Sequence, residues 1–161
     1  MLTTALLALA LTNDASATEI GNGRNLGLGI QLGSPTGLTG KYYLGGRRNA
    51  VSFALGSQYD GGFYSGVWVT GSYDFHIEEL VTVPEFVMPL RVGIGGFLAT
   101  GSYRFGYYRD DLFLGLRTPV GLDFDLTGAP VQIYIEVAFD LVLYPHLYGG
   151  LDAGLGVRYY F

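Results

Sequence analysis

From Leu26 onward the apolar and polar residues of this chain alternate with a period of two. Val131 to Leu143 shows the pattern most fully: Val131, Ile133, Ile135, Val137, Phe139, Leu141 and Leu143 share one parity, while Gln132, Tyr134, Glu136 and Asp140 share the other. Successive side chains of an extended strand point to opposite faces, so this segment is a strand with one apolar and one polar face. Leu112 to Leu126 sorts Leu112, Leu114, Leu116, Val120, Leu122 and Phe124 against Arg117, Gly121, Asp123 and Asp125. In Met88 to Leu98, Met88, Leu90, Val92, Ile94 and Leu98 oppose Arg91, Gly93, Gly95 and Phe97. Phe63 to Phe75 opposes Val67, Val69, Tyr73 and Phe75 to Tyr64, Trp68, Thr70 and Asp74, and Leu151 to Phe161 opposes Leu155, Val157, Tyr159 and Phe161 to Asp152, Gly154, Gly156, Arg158 and Tyr160. Shorter segments at Leu26 to Gly33, Leu38 to Leu44 and Val51 to Gly56 bring the expected strands to eight. No window has helical spacing, and no apolar run nears the ~18 residues of a membrane-spanning helix.

Turn residues separate these segments: Ser34-Pro35-Thr36-Gly37, Gly45-Gly46-Arg47-Arg48-Asn49, Asp60-Gly61-Gly62, Thr127-Gly128-Ala129-Pro130 and Tyr148-Gly149-Gly150. Two connections read as longer, His76 to Glu85 and the aromatic-rich Thr100 to Asp111. Ahead of the strands, the apolar run Leu2 to Leu11 and the small residues Ala15-Ser16-Ala17 read as a signal peptide over 1–17, leaving 18–161 as one domain, although no Lys or Arg precedes Arg24.

An even number of two-faced strands fits an all-β, eight-stranded antiparallel up-and-down transmembrane β-barrel with short turns. It also fits a soluble barrel whose apolar face turns inward around a ligand. Composition favours the first. Only 14% of the residues are charged, against the typical ~25%, too few to clothe a water-facing wall. Glycines account for 26 of 161 residues, and many fall on the polar face, where they make room in a narrow lumen for Tyr64, Trp68, Tyr134 and Tyr160. That lumen is expected to hold Lys41, Arg91, Arg117 and Arg158 against Asp74, Asp123, Glu136, Asp140 and Asp152, paired into a salt-bridged ladder because unpaired buried charges cost several kcal/mol each. Lys41, Asp74, Arg91, Asp123, Glu136 and Arg158 fall in the periplasmic half, with Arg117, Asp140 and Asp152 higher.

Aromatic residues near strand ends supply the girdles expected at lipid headgroups: Tyr42, Tyr73, Phe75, Phe86, Phe124, Tyr159 and Phe161 on the periplasmic side, Phe63 and Tyr144 opposite. The expected surroundings are a bacterial outer membrane, with lipopolysaccharide or phospholipid against the wall. The formal charge of −5 disfavours nucleic acid. With no Cys there is no thiolate metal site, and two distant His with carboxylates already facing cations make no first shell, so no metal or cofactor is expected.

The closing strand Gly154-Leu-Gly-Val-Arg-Tyr-Tyr-Phe161 resembles the C-terminal signal by which the outer-membrane insertion machinery recognises its barrels. The opening Gly27-Leu-Gly-Ile-Gln-Leu-Gly-Ser-Pro-Thr-Gly-Leu-Thr-Gly-Lys-Tyr-Tyr-Leu44 resembles an uncharacterised family of small bacterial outer-membrane barrels, similar in architecture to the membrane domain of outer membrane protein A. The resemblance implies fold and location and brings no assigned activity.

Catalysis has little support. His76, beside Glu78 and Glu79, reads as an interfacial polar residue, and His146 falls in a turn with Ser102 its one plausible nucleophile partner, so lipid A modification ranks below the non-enzymatic functions. The Arg47-Arg48 pair reads as solvated turn charge. Two functional classes remain: a structural or anchoring barrel with an occluded lumen, and a narrow channel or carrier for small apolar solutes, for which the short Val51 to Gly56 strand beside Gly61-Gly62 offers a lateral gap.

Overall fold

A computed structural model describes residues 20–60, 63–103 and 111–161, without the side chains of 58–65 and 102–111. The expected signal segment, the Gly61-Gly62 bend and most of the Thr100 to Asp111 loop lie outside these residues. Eight strands follow in order: β1 (Leu26–Gly33), β2 (Thr36–Tyr43), β3 (Asn49–Asp60), β4 (Phe63–Thr82), β5 (Phe86–Tyr103), β6 (Asp111–Leu126), β7 (Val131–Tyr144) and β8 (Tyr148–Tyr160). Each pairs antiparallel with its neighbour in sequence, and β8 returns to β1 from Gly27↔Tyr160 to Gly33↔Gly154, which closes the barrel. Closure removes the open strand edges that a sheet must otherwise protect.

Several boundaries differ from those expected. The third strand is no short segment of 51–56: β3 has 12 residues and pairs along β2 from Thr36↔Ser57 to Tyr43↔Ala50 and along β4 as far as Asp60↔Phe63. The expected lateral gap there is closed by ladder hydrogen bonds, with one bulge between Gly56 and Gln58. The expected His76 to Glu85 connection is mostly strand, because β4 runs to Thr82 and pairs with β5 as far as Thr82↔Val87. Two bulges, between His76 and Glu78 and between Glu79 and Val81, break the alternation that the sequence would need to reveal it. Tyr148-Gly149-Gly150 opens β8, and the turn before it is Pro145 to Leu147.

Polarity is inverted relative to a water-soluble core. Along β7, Ile133, Ile135, Val137 and Phe139 face outward and are exposed, whereas Gln132, Tyr134, Ala138 and Asp140 are buried inside. The other strands repeat this. Leu28, Ile30, Leu32, Leu114, Leu116, Leu155 and Val157 are exposed, while Lys41, Asp74, Arg91, Asp123 and Arg158 are buried. Inward glycines make the packing possible: a Cβ at Gly156 would stand 2.4 Å from the Tyr134 ring, so the ring takes the volume a side chain would fill.

The end of the barrel that carries Leu26, Tyr160 and the 44–48, 83–85 and 127–130 turns is called proximal here. Three tiers fill the interior from there. At the proximal mouth Ile20 is buried with Tyr43, Ala50 and Tyr160. The segment leading into β1 is folded back on itself by a Gly21 N–H donating to the Arg24 carbonyl at 2.9 Å, and Arg24 Nη1 donates to the Tyr160 carbonyl at 3.3 Å. A charged tier follows. Above it Trp68, Phe97, Ala99, Phe113 and Val142 form an apolar cluster in which the Trp68 and Phe97 rings stack at 4.8 Å.

Candidate functional site

The charged tier is the chemically distinctive part of the molecule, and strand parity builds it. Lys41 on β2, Asp74 and His76 on β4, Arg91 on β5, Asp123 on β6, Glu136 and Asp140 on β7, and Asp152 and Arg158 on β8 all sit on the inward parity, so closure points them at one axis. An eight-stranded barrel is just wide enough for side chains to fill.

Arg91 is the hub. Its Nη1 donates to Asp74 Oδ2 at 3.3 Å, its Nε to Asp123 Oδ1 at 3.2 Å and its Nη2 to Glu136 Oε2 at 3.0 Å. Gly121 on the adjacent strand leaves the space this guanidinium needs, since a Cβ there would lie 2.7 Å from Arg91 Nη2. Asp74 also accepts from Ser52 at 2.5 Å and Ser72 at 2.8 Å. Glu136 links this group to a second one, accepting from Arg117 Nη2 at 3.2 Å. Arg117 Nη1 reaches Asp140 Oδ2 at 2.6 Å and Asp152 Oδ2 at 3.5 Å. One buried arginine serving three carboxylates and another serving two more beyond a shared Glu is the pairing that charges removed from water require.

Lys41 crosses the lumen to Asp123 Oδ2, with Nζ 2.5 Å away, and lies 2.8 Å from His76 Nε2. His76 is therefore no interfacial residue: it is buried, with Nε2 3.1 Å from Asp123 Oδ2 and its ring 5.3 Å from that of Tyr43. Nε2 either accepts from the Lys41 ammonium or donates to Asp123, according to which ring nitrogen carries the proton. Its parity matches Trp68, Thr70 and Asp74, and extending the period by one step finds it.

Arg158 stands apart from the ladder expected of it. It donates to Thr39 Oγ1 through Nε at 3.2 Å and Nη2 at 2.8 Å, to Gln132 Oε1 through Nη1 at 3.1 Å, and its guanidinium lies 3.8 Å from the Tyr134 ring centroid. Gln132 is its register partner on β7, and the nearby carboxylates are already held by Lys41 and Arg91. Cation–π contact and neutral acceptors take the place of a counter-ion.

Arg47 likewise differs from a solvated turn charge. From the 44–48 turn its Nη2 donates to the buried Asp125 at 2.7 Å, and Nη1 lies 3.7 Å from Glu79. Asp125 also accepts from Gln132 at 2.7 Å. The neutral partners Gln31, Thr39, Ser52 and Gln132 carry no sequence signal beyond parity.

The aromatic residues expected as a girdle lie on the outer face near the proximal end. Tyr42, Phe75 and Phe161 are exposed there, and Tyr73, Phe86, Phe124 and Tyr159 are half-buried. They pair along the rim: Tyr73 with Phe75 at 4.8 Å, Phe86 with Phe124 at 6.0 Å and Tyr159 with Phe161 at 5.0 Å. Tyr144 is exposed at the distal end, and the Phe63 side chain lies outside the described residues. His146 is exposed in the 145–147 turn, and the Ser102 side chain also lies outside the described residues.

These features define a closed eight-stranded antiparallel barrel with a charged, side-chain-filled interior. The chain is similar in fold to the crystal structure of the N-terminal β-barrel domain of Pseudomonas aeruginosa OprF, with a TM-score of 0.63, 14% sequence identity, and coverage of 84% of this chain and 94% of that one. No protein-family model and no curated protein sequence matches the chain.

Proposed function

We propose that this chain is an integral barrel of the bacterial outer membrane with a side-chain-filled, salt-bridged lumen and a structural or anchoring role. The observation that carries this is the inverted polarity: an aliphatic wall around the outside, with Arg91, Lys41, Asp74 and Asp123 buried within. In water such a wall far exceeds the few hundred Å² of contiguous apolar surface that soluble monomers expose. In hydrocarbon it is the stable arrangement, because every backbone group of a closed barrel is satisfied internally. The outward aromatic residues at the proximal rim match a headgroup boundary, and the fold shared with the OprF barrel domain agrees with a membrane barrel.

Phospholipid or lipopolysaccharide surrounds the wall, and the strand ending at Phe161 is what the insertion machinery engages. The lumen is occluded by three tiers of side chains, and a space within its charged tier, beside Thr39, Ser52, Arg117 and Arg158, measures about 10 Å³, near what one water molecule needs. An occluded lumen favours a structural role over passage of solutes and over turnover.

Heat-modifiable migration after extraction from outer membranes tests the reading. A folded, faster-migrating form in that fraction is expected. Recovery of the folded chain from aqueous buffer without detergent, with an apolar ligand in its centre, overturns it.

A further inference from the structure

Beyond that role, a cleft of about 180 Å³ opens at the proximal rim, between the 44–48 turn and the long β4–β5 hairpin. We propose that it binds a zwitterion made of a phosphate ester and a primary ammonium, the chemistry of a phosphoethanolamine headgroup.

The cleft is lined by Tyr43, Arg47, Arg48, His76, Glu78 and Glu79. Three observations point to a ligand. His76 Nε2 lies against Lys41 and Asp123, while Nδ1 is buried and has no hydrogen-bond partner among the described residues. That nitrogen is a donor in one tautomer and an acceptor in the other, and an unpaired buried group of either kind costs ~1–3 kcal/mol unless a partner arrives, a phosphate oxygen for the first or an ammonium for the second. The backbone holds the turn that carries two arginines beside it: the His76 N–H donates to the Arg48 carbonyl at 2.8 Å, and Leu44 N–H to the Asn49 carbonyl at 2.8 Å closes that turn. Arg48 is exposed, and Arg47 uses Nη2 on Asp125.

The carboxylates supply the opposite sign. Adjacent strand residues normally face opposite ways, yet Glu78 and Glu79 both line the cleft. The paired bulges around them re-aim the backbone and make this possible. Arg47 lies against Asp125 and Glu79, and Arg48 with Glu78 adds one further charge of each sign, so the lining carries both signs. A simple anion attracted by the arginines is repelled by the glutamates, whereas a ligand carrying both signs satisfies each. The ammonium of ethanolamine can donate to carboxylates, which the trimethylammonium of choline cannot.

Ile77 also lines the cleft and is 59% exposed. The lining therefore runs from the barrel mouth onto the outer wall, a path along which an acyl chain could leave a bound headgroup. The zwitterion has two sources, a phospholipid or free O-phosphoethanolamine. The site stands on its own geometry and does not depend on the chain residing in a membrane.

The test is imidazole ¹⁵N NMR of the folded full chain, in alkyl-glucoside micelles or in plain buffer if it is soluble there, with His146→Gln to assign the two histidines. O-Phosphoethanolamine is expected to shift the His76 Nδ1 resonance saturably, with phosphocholine and inorganic phosphate at least ~tenfold weaker. Arg48→Ala should weaken binding by ~tenfold, and Glu78→Gln with Glu79→Gln should abolish the preference for ethanolamine over choline. Nanodiscs of phosphatidylethanolamine, compared with phosphatidylcholine, separate the sources: a shift from the lipid alone identifies a headgroup site, and an equal shift from the soluble compound identifies a metabolite site. The proposal is overturned if neither form of phosphoethanolamine gives a saturable shift, if inorganic phosphate binds as tightly, or if the correctly folded variants bind like the parent.

Discussion

Lys41 on β2 and Asp123 on β6 join opposite walls of the barrel, Nζ to Oδ2 at 2.5 Å, and neither side chain has exposed surface. Asp123 also serves Arg91 and His76, so three cross-strand ties converge on one carboxylate. Asp123→Ala should lower the stability of the refolded barrel by ~3–5 kcal/mol, the usual cost of stranding a buried partner charge. Urea titration measures it. Lys41→Met together with Asp123→Leu should cost less than Asp123→Ala alone, because no lysine is then left without its counter-ion. An Asp123→Ala chain as stable as the parent would remove the central tie from this account.

Arg91 holds Asp74, Asp123 and Glu136 together at the middle of the lumen. In planar bilayers the parent chain should show no conductance steps at neutral pH. Arg91→Ala removes the cation that these three carboxylates share and should either destabilise the barrel or produce a cation-selective leak. Stable openings of the parent chain favour the channel function over the structural one.

The Tyr134 ring occupies the place of a side chain at Gly156. Gly156→Ala should cost ~1–3 kcal/mol through overpacking. Tyr134 also donates to Gln31 at 2.6 Å, so the double variant Gly156→Ala with Tyr134→Leu should cost less than the sum of the two single changes. Additive losses in a double-mutant cycle would show that the two sites do not touch.

Depth along the outer wall gives a test of surroundings. Val137 lies mid-strand on β7 and faces outward, and Tyr144 faces outward at the strand's distal end. In a bilayer Val137→Arg should cost ~2–4 kcal/mol and Tyr144→Arg ~0–1 kcal/mol, because burying the charge is hardest at the midplane. Folding titrations into lipid vesicles measure both. Equal, small losses at the two positions would point to a water-facing wall.

Strand number and the inward or outward sense of most side chains were legible because parity is a local property. Val131 to Leu143 reads correctly without knowledge of any other segment. The misread elements lie where parity is broken or where turn residues sit inside a strand. Bulges after His76 and Glu79 disguised the last turn of β4 as a loop, and Gly149-Gly150 looked like a turn although both residues pair with β7. Residues 20–25 carried no alternating pattern, yet Ile20 and Arg24 cover the proximal mouth. His76 was within reach of the same parity rule and was hidden by its acidic neighbours.

The sequence by itself determined which side chains share a face, since that depends only on two residues per repeat of an extended chain. Which inward charges meet was decided by the tertiary structure. Lys41 and Asp123 are 82 residues apart, Arg47 and Asp125 are 78 apart, and Tyr134 and Gln31 are 103 apart. Their meeting depends on strand stagger and on the closure of β8 against β1, which set the height of each side chain along the axis. Arg158 illustrates the difference: parity sends it inward, and only its height on the closed barrel places it over Tyr134 rather than beside a carboxylate.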